Sequence, residues 1–143
     1  MRKMKSWEGF PTATGIANDF VVSNQKASQM LPDIFEAKAA YDNAIMKPNA
    51  LDGKTKELIG MCCGIMNGSE ICTTWHCRNA VLWGATSQEI MEAAAVTMRW
   101  KGGTAGGTMS VYVIDAIETF MKDKEALDAG KELPSGLPVM LAK

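Results

Sequence analysis

The chain reads as a single all-α domain. Three observations predict this: apolar residues recur at helical spacing through most of its length, helix caps and stops punctuate it at intervals of one helix, and no stretch alternates like a strand. At 143 residues, one domain can bury most of what its unfolded chain exposes, so no second domain is required. Eleven methionines and few aromatic residues suit an adaptable helical interior.

Residues 12–30 mix polar and apolar positions with a weak helical period and predict a first helix. Pro32 opens the next element, which runs from Asp33 to about Met46 with an acidic first turn and has Ile34, Phe35, Ala39 and Ala40 at helix-like intervals. Asp52 is a plausible N-cap for a third helix with Leu58, Met61, Cys62, Ile65 and Met66 on its apolar face, and Asn67-Gly68 ends it. Ser69-Glu70 opens a fourth helix that Gly84 terminates. The capping box from Thr86 to Glu89 starts a fifth, to about Trp100. Lys101-Gly102-Gly103 breaks the chain, and the glycines there predict a helix-connecting turn or, alternatively, a close approach of two helices. The last long helix then lines Met109, Tyr112, Val113, Ala116, Ile117, Phe120 and Met121 along one stripe. Residues 122–143 become charged and then turn-rich, as in a surface helix followed by an extended tail.

Fifteen basic and sixteen acidic residues leave a net charge of -1, without the electrostatic footprint of a nucleic-acid or anionic-membrane binder. The start, MRKMKSWEGF, has basic residues but no apolar segment behind it, and no apolar run approaches the ~20 residues of a membrane span. A cytoplasmic protein acting on small molecules is expected. The four cysteines fall within sixteen positions, two of them adjacent, unlike the dispersed spacing of a disulfide-stapled secreted domain. Cys62 and Cys63 read as small core residues.

Chemistry concentrates in Ser69-Glu70-Ile71-Cys72-Thr73-Thr74-Trp75-His76-Cys77. Cys72 lies in the first turn of a helix, where the dipole and free N–H groups favour thiolate. His76, the sole histidine, follows four residues later on the same side, at a spacing of ~5–6 Å between Cβ atoms. Cys77 has neither advantage, and five residues of helix give ~7.5 Å of rise, too far for a bridge to Cys72. The Cys-x-x-Cys pairs of structural zinc sites are missing, so no metal is expected.

The stretch from Leu51 to Ala93 resembles the core of the AhpD-like, or carboxymuconolactone decarboxylase, superfamily. Its KTKELI helix opening, its Cys-x-x-x-His segment and its GATSQEI connection occur in the family's order and spacing, and flanking similarity extends from about Leu31 to Phe120. The resemblance implies an all-helical domain over residues 1–143: a core of about 31–120 around a two-helix hairpin, an N-terminal helical extension over 1–30, a tail over 122–143, and assembly as homotrimers or homohexamers. In peroxidase-type members a Glu, a Cys-x-x-Cys pair and a His form a dithiol with a proton relay. The Glu falls on Glu57, the second Cys on Cys72 and the His on His76. The first Cys falls on Ser69, so the usual disulfide cannot form, and Cys62, Cys63, a partner subunit or an external thiol must resolve an oxidised Cys72. Ser69 is expected to cap the helix and to hydrogen-bond the Cys72 thiolate. The resemblance thus implies a thiol peroxidase or disulfide oxidoreductase, with a thiol reductant protein as partner. Its rivals are a lyase on a small lactone or keto acid, with Lys54, Lys56 and Arg78 as generic carboxylate holders, and an inactive oligomeric binding protein.

Overall fold

The computed structural model describes residues 11–143, and among them all regular structure is helical. Residues 1–10, which include the basic start and part of the expected N-terminal extension, lie outside the described residues. Six helices follow in order: α1 (Ala13–Met30), α2 (Pro32–Met46), α3 (Gly53–Asn67), α4 (Glu70–Leu82), α5 (Ser87–Thr108) and α6 (Ile114–Asp128). A π-helical turn, Met109–Val113, joins the last two without a loop.

The expected caps at Asp52, Ser69 and Thr86 form, and Thr12 caps α1 as well: each accepts a backbone N–H in the first turn of its helix, and Thr86 with Glu89 completes the capping box. Each satisfies a donor that the helix cannot. Gly68 ends α3 in the left-handed region at φ 68°, which turns the chain at once into α4.

The resulting antiparallel α3–α4 hairpin is the centre of the molecule. Helix α4 buries nine of its thirteen residues, enclosed by α3, α1 and α6, with α5 against the other side of α3. The packing is close because α3 presents glycine to α4: a Cβ added at Gly64 would lie 2.6 Å from the Thr73 backbone nitrogen, and one at Gly60 would lie 2.7 Å from the His76 ring. Met61, Ile65, Cys77, Val81, Ile90, Val113 and Phe120 fill the surrounding core, and most of the predicted α6 stripe is buried as expected.

The break expected after Trp100 is present as a kink within α5: Gly102 leaves helical geometry (φ 54°, ψ -133°), and helical structure resumes at once on its far side. Helix α2, whose apolar residues recur at helical intervals, has no buried residue, with Tyr41 66% and Ile34 60% exposed. The C-terminal segment is non-helical as predicted but is not a free tail, since Leu137 is buried.

What holds that segment is a polar cluster. Arg78 on α4 is wholly buried, and its Nη2 donates to the Pro138 carbonyl at 2.9 Å and the Leu137 carbonyl at 3.5 Å. The guanidinium also lies 5.3 Å from the Trp75 ring centre and 5.7 Å from that of Phe120. Buried Asp123 on α6 accepts from the Ser135 amide at 3.0 Å and from its hydroxyl. Burial lowers the Arg78 pKa, and the Asp123 charge partly opposes this.

Gly64→Ala should therefore destabilise the fold by about 1–3 kcal/mol, the usual cost of overpacking. Gly107→Ala, with nothing within 4 Å of an added Cβ, should be neutral or stabilise by up to about 1 kcal/mol. Urea unfolding of the two variants beside the parent chain measures both.

Candidate functional site

The carboxylate that the resemblance singled out is not a solvated first-turn residue. Glu57 is only 4% exposed, and its buried oxygens are satisfied from α4. Oε2 lies 2.6 Å from His76 Nδ1, and Oε1 accepts from Asn79 Nδ2 at 3.3 Å. A carboxylate can only accept, so Nδ1 is the ring nitrogen that donates to Glu57, and in the neutral ring Nε2 keeps a free lone pair. The missing side chain at Gly60 makes room for the imidazole.

Cys72 is exposed, the third residue of α4 and one turn before His76. Its amide donates to Ser69 Oγ at 3.2 Å, so Ser69 performs the expected capping role and directs its oxygen to the Cys72 backbone. The imidazole is held by the carboxylate rather than by the thiol: among the described residues no hydrogen bond joins Cys72 to His76. Glu57, His76 and Cys72 thus follow one another along the hairpin from the interior to its open face.

The four cysteines occupy different surroundings and are all free. Cys77 is completely buried, and burial pushes its thiol up to about 12. Cys62 is half-buried, donates to the Ala93 carbonyl at 3.2 Å on the α5 side, and has its pKa raised by burial. Cys63 is exposed, which corrects its reading as a core residue: one residue of helix turns the side chain about 100°, enough to carry it from the α5 contact to the surface. Among the described residues no three His, Cys, Asp or Glu side chains are gathered to hold a metal ion.

The basic residues near the hairpin are engaged. Lys54 bonds Glu89 at 2.7 Å, and this contact, aided by the Thr86 cap, pushes the Glu89 carboxyl down to about 2. Lys56 donates to the carbonyls of Ile45 and Lys47 at 2.6 and 2.7 Å. Arg78 points into the core. Asn79 is the site residue that sequence reasoning missed: its place one turn after His76 was visible, but an amide in a helix has no chemistry that advertises it.

The sequence model of the carboxymuconolactone decarboxylase family matches residues 32–106, more than half of the chain. The protein belongs to that family. It is 30% identical over 106 residues to an uncharacterised protein of the cox locus of Paracoccus denitrificans, an alignment covering 68% of this chain and 96% of the relative. It also superposes on the crystal structure of a carboxymuconolactone decarboxylase family protein from Legionella pneumophila with a TM-score of 0.72 and 26% identity, over 77% of this chain and 97% of the other. Among the described residues no helix is long and apolar enough to cross a membrane.

The buried thiol sets a pH dependence. Unfolded, Cys77 ionises around its ordinary value of 9.0, whereas folded it keeps its proton to about 12. The folded state then holds the extra proton, so stability is undiminished below pH 9 and falls above it by up to about 1.4 kcal/mol per pH unit. Urea midpoints between pH 8 and 10.5 should drop more steeply for the parent chain than for Cys77→Ala. Mass spectrometry of native protein treated with an alkylating reagent should find Cys63 and Cys72 modified first and Cys77 last.

Proposed function

We propose that the protein is a thiol-dependent peroxidase or disulfide oxidoreductase in which Cys72 is the nucleophile. The observation that carries this reading is the buried Glu57–His76 contact, one helical turn from an exposed cysteine in a helix's first turn. His76 Nε2 accepts or returns the proton, through a water or the substrate, while Glu57 holds the ring and stabilises its charged form. Asn79 and the Gly60 gap position these two groups. Ser69 is a positioning residue: it caps the helix on which Cys72 stands. No cofactor is needed, and a thiol protein serves as reductant. A reducing cytoplasm is the setting in which four free thiols persist.

The lyase alternative receives less support. A carboxylate-bearing substrate needs a cation at the site, and Lys54, Lys56 and Arg78 are committed to Glu89, to two carbonyls and to the tail.

Cys72→Ser should abolish peroxide or disulfide consumption by the pure protein. His76→Ala should lower the rate about 100-fold and Glu57→Gln about 10-fold, as expected for loss of a general base and of the group that orients it. Equal rates in the parent chain and Cys72→Ser would overturn the thiol role.

Self-association is part of the same reading. Helix α2 has no buried residue, yet it carries Ile34, Tyr41 and Ile45 in exposed positions beside Met30 and Leu31. Apolar side chains so arranged on an otherwise packed domain suit burial against further copies of the chain. Light scattering should return a trimer or hexamer mass, and Tyr41→Lys together with Ile45→Glu should shift it toward the monomer. A monomeric parent chain at micromolar concentration would overturn this.

A further inference from the structure

We infer that Cys63 is the resolving thiol of Cys72, so that the redox disulfide of this protein runs across the α3–α4 hairpin instead of within the first turn of α4. The inference rests on the reading of Cys72 as an oxidisable nucleophile.

The register of the hairpin carries it. Gly60 faces His76 and Gly64 faces the Cys72–Thr73 peptide, so four residues forward on α3 match four residues back on α4. A Cβ built at Gly64 lies 2.9 Å from the Cys72 carbonyl carbon and 2.6 Å from the Thr73 nitrogen. Cys63 directly precedes Gly64, and the contacting carbonyl carbon is Cys72's own. The two cysteines therefore flank a close approach of the α3 and α4 backbones, Cys63 one residue before Gly64 and Cys72 at the peptide that Gly64 faces. That brings the Cα span of a disulfide, roughly 4.4–6.8 Å, within reach.

Direction agrees with distance. Stepping back from Gly64 to Cys63 turns the side chain out of the helix interface toward the exposed flank. In an antiparallel right-handed pair, stepping back from His76 to Cys72 turns toward that same flank. Both thiols are exposed there. The alternatives are placed elsewhere: Cys62 turns to the Ala93 carbonyl, Cys77 is sealed in the core, and position 69 holds a serine.

The chemistry balances. The Cys72 thiolate attacks a hydroperoxide, forming the S–O bond and breaking O–O; the departing alkoxide takes a proton by way of His76 and leaves as an alcohol. The Cys63 thiolate then attacks the Cys72 sulfenic acid, forming S–S and breaking S–O, and hydroxide leaves as water after protonation. An external dithiol returns both sulfurs to the thiol form, itself becoming a disulfide.

The test uses the full chain in two arms, diamide as a two-electron thiol oxidant and hydrogen peroxide as substrate, followed by alkylation of remaining thiols. No lysine or arginine lies between Lys56 and Arg78, so a glutamyl endopeptidase is used: it cuts after Glu70 and separates Cys62 and Cys63 from Cys72 and Cys77. Both arms should yield one cross-linked pair joining Cys63 to Cys72, present in Cys62→Ser and lost in Cys63→Ser. In Cys63→Ser, peroxide should leave a Cys72 sulfenic acid that dimedone traps, formed at the parental rate. A cross-link with diamide but no oxidation by peroxide upholds the pairing and overturns the peroxidase reading. Oxidation of Cys72 by peroxide with a persistent sulfenic acid in the parent chain does the reverse. Failure of diamide to link the two, or a link through Cys62 or between chains, overturns the inference.

Discussion

The site depends on how closely α3 and α4 approach. Two helices carrying ordinary side chains at their contact stand 8–10 Å apart, and Gly60 and Gly64 remove the groups that would keep them there. Only then can Glu57, fixed on α3, reach an imidazole on α4 at 2.6 Å. The same approach brings the backbone at Cys72 against α3. Packing and chemistry are therefore one constraint: any residue that widens the hairpin also unpairs the carboxylate and the ring.

Most of the helical framework was legible because its punctuation is local. Asp52, Gly68, Ser69, Gly84 and the Thr86–Glu89 box act within one turn of themselves, so their meaning survives without knowledge of the tertiary structure. Helix α2 shows the opposite. Its apolar spacing was read correctly, but spacing identifies a face and says nothing of what covers it. The glycine run after Trp100 marked a real break, but composition counts glycines and does not say that Gly102 alone leaves the helix.

The site was legible in halves. The spacing of Cys72 and His76, together with the cap at Ser69, followed from helix geometry. Glu57 followed only from family resemblance, since a glutamate near the start of a helix is ordinarily solvated and its burial depends on α4 folding over it. Cys62 and Cys63 looked alike as neighbours, and only the positions of α4 and α5 separated an inward thiol from an outward one.

Arg78 ties this hairpin to a distant part of the chain. Its guanidinium is enclosed by Trp75 and Phe120, and the oxygens that receive its protons belong to Leu137 and Pro138, some sixty positions later. Without those carbonyls a cation in the interior would lack partners to offset its lost hydration, so a segment some sixty positions away helps to hold the hairpin's outer side closed.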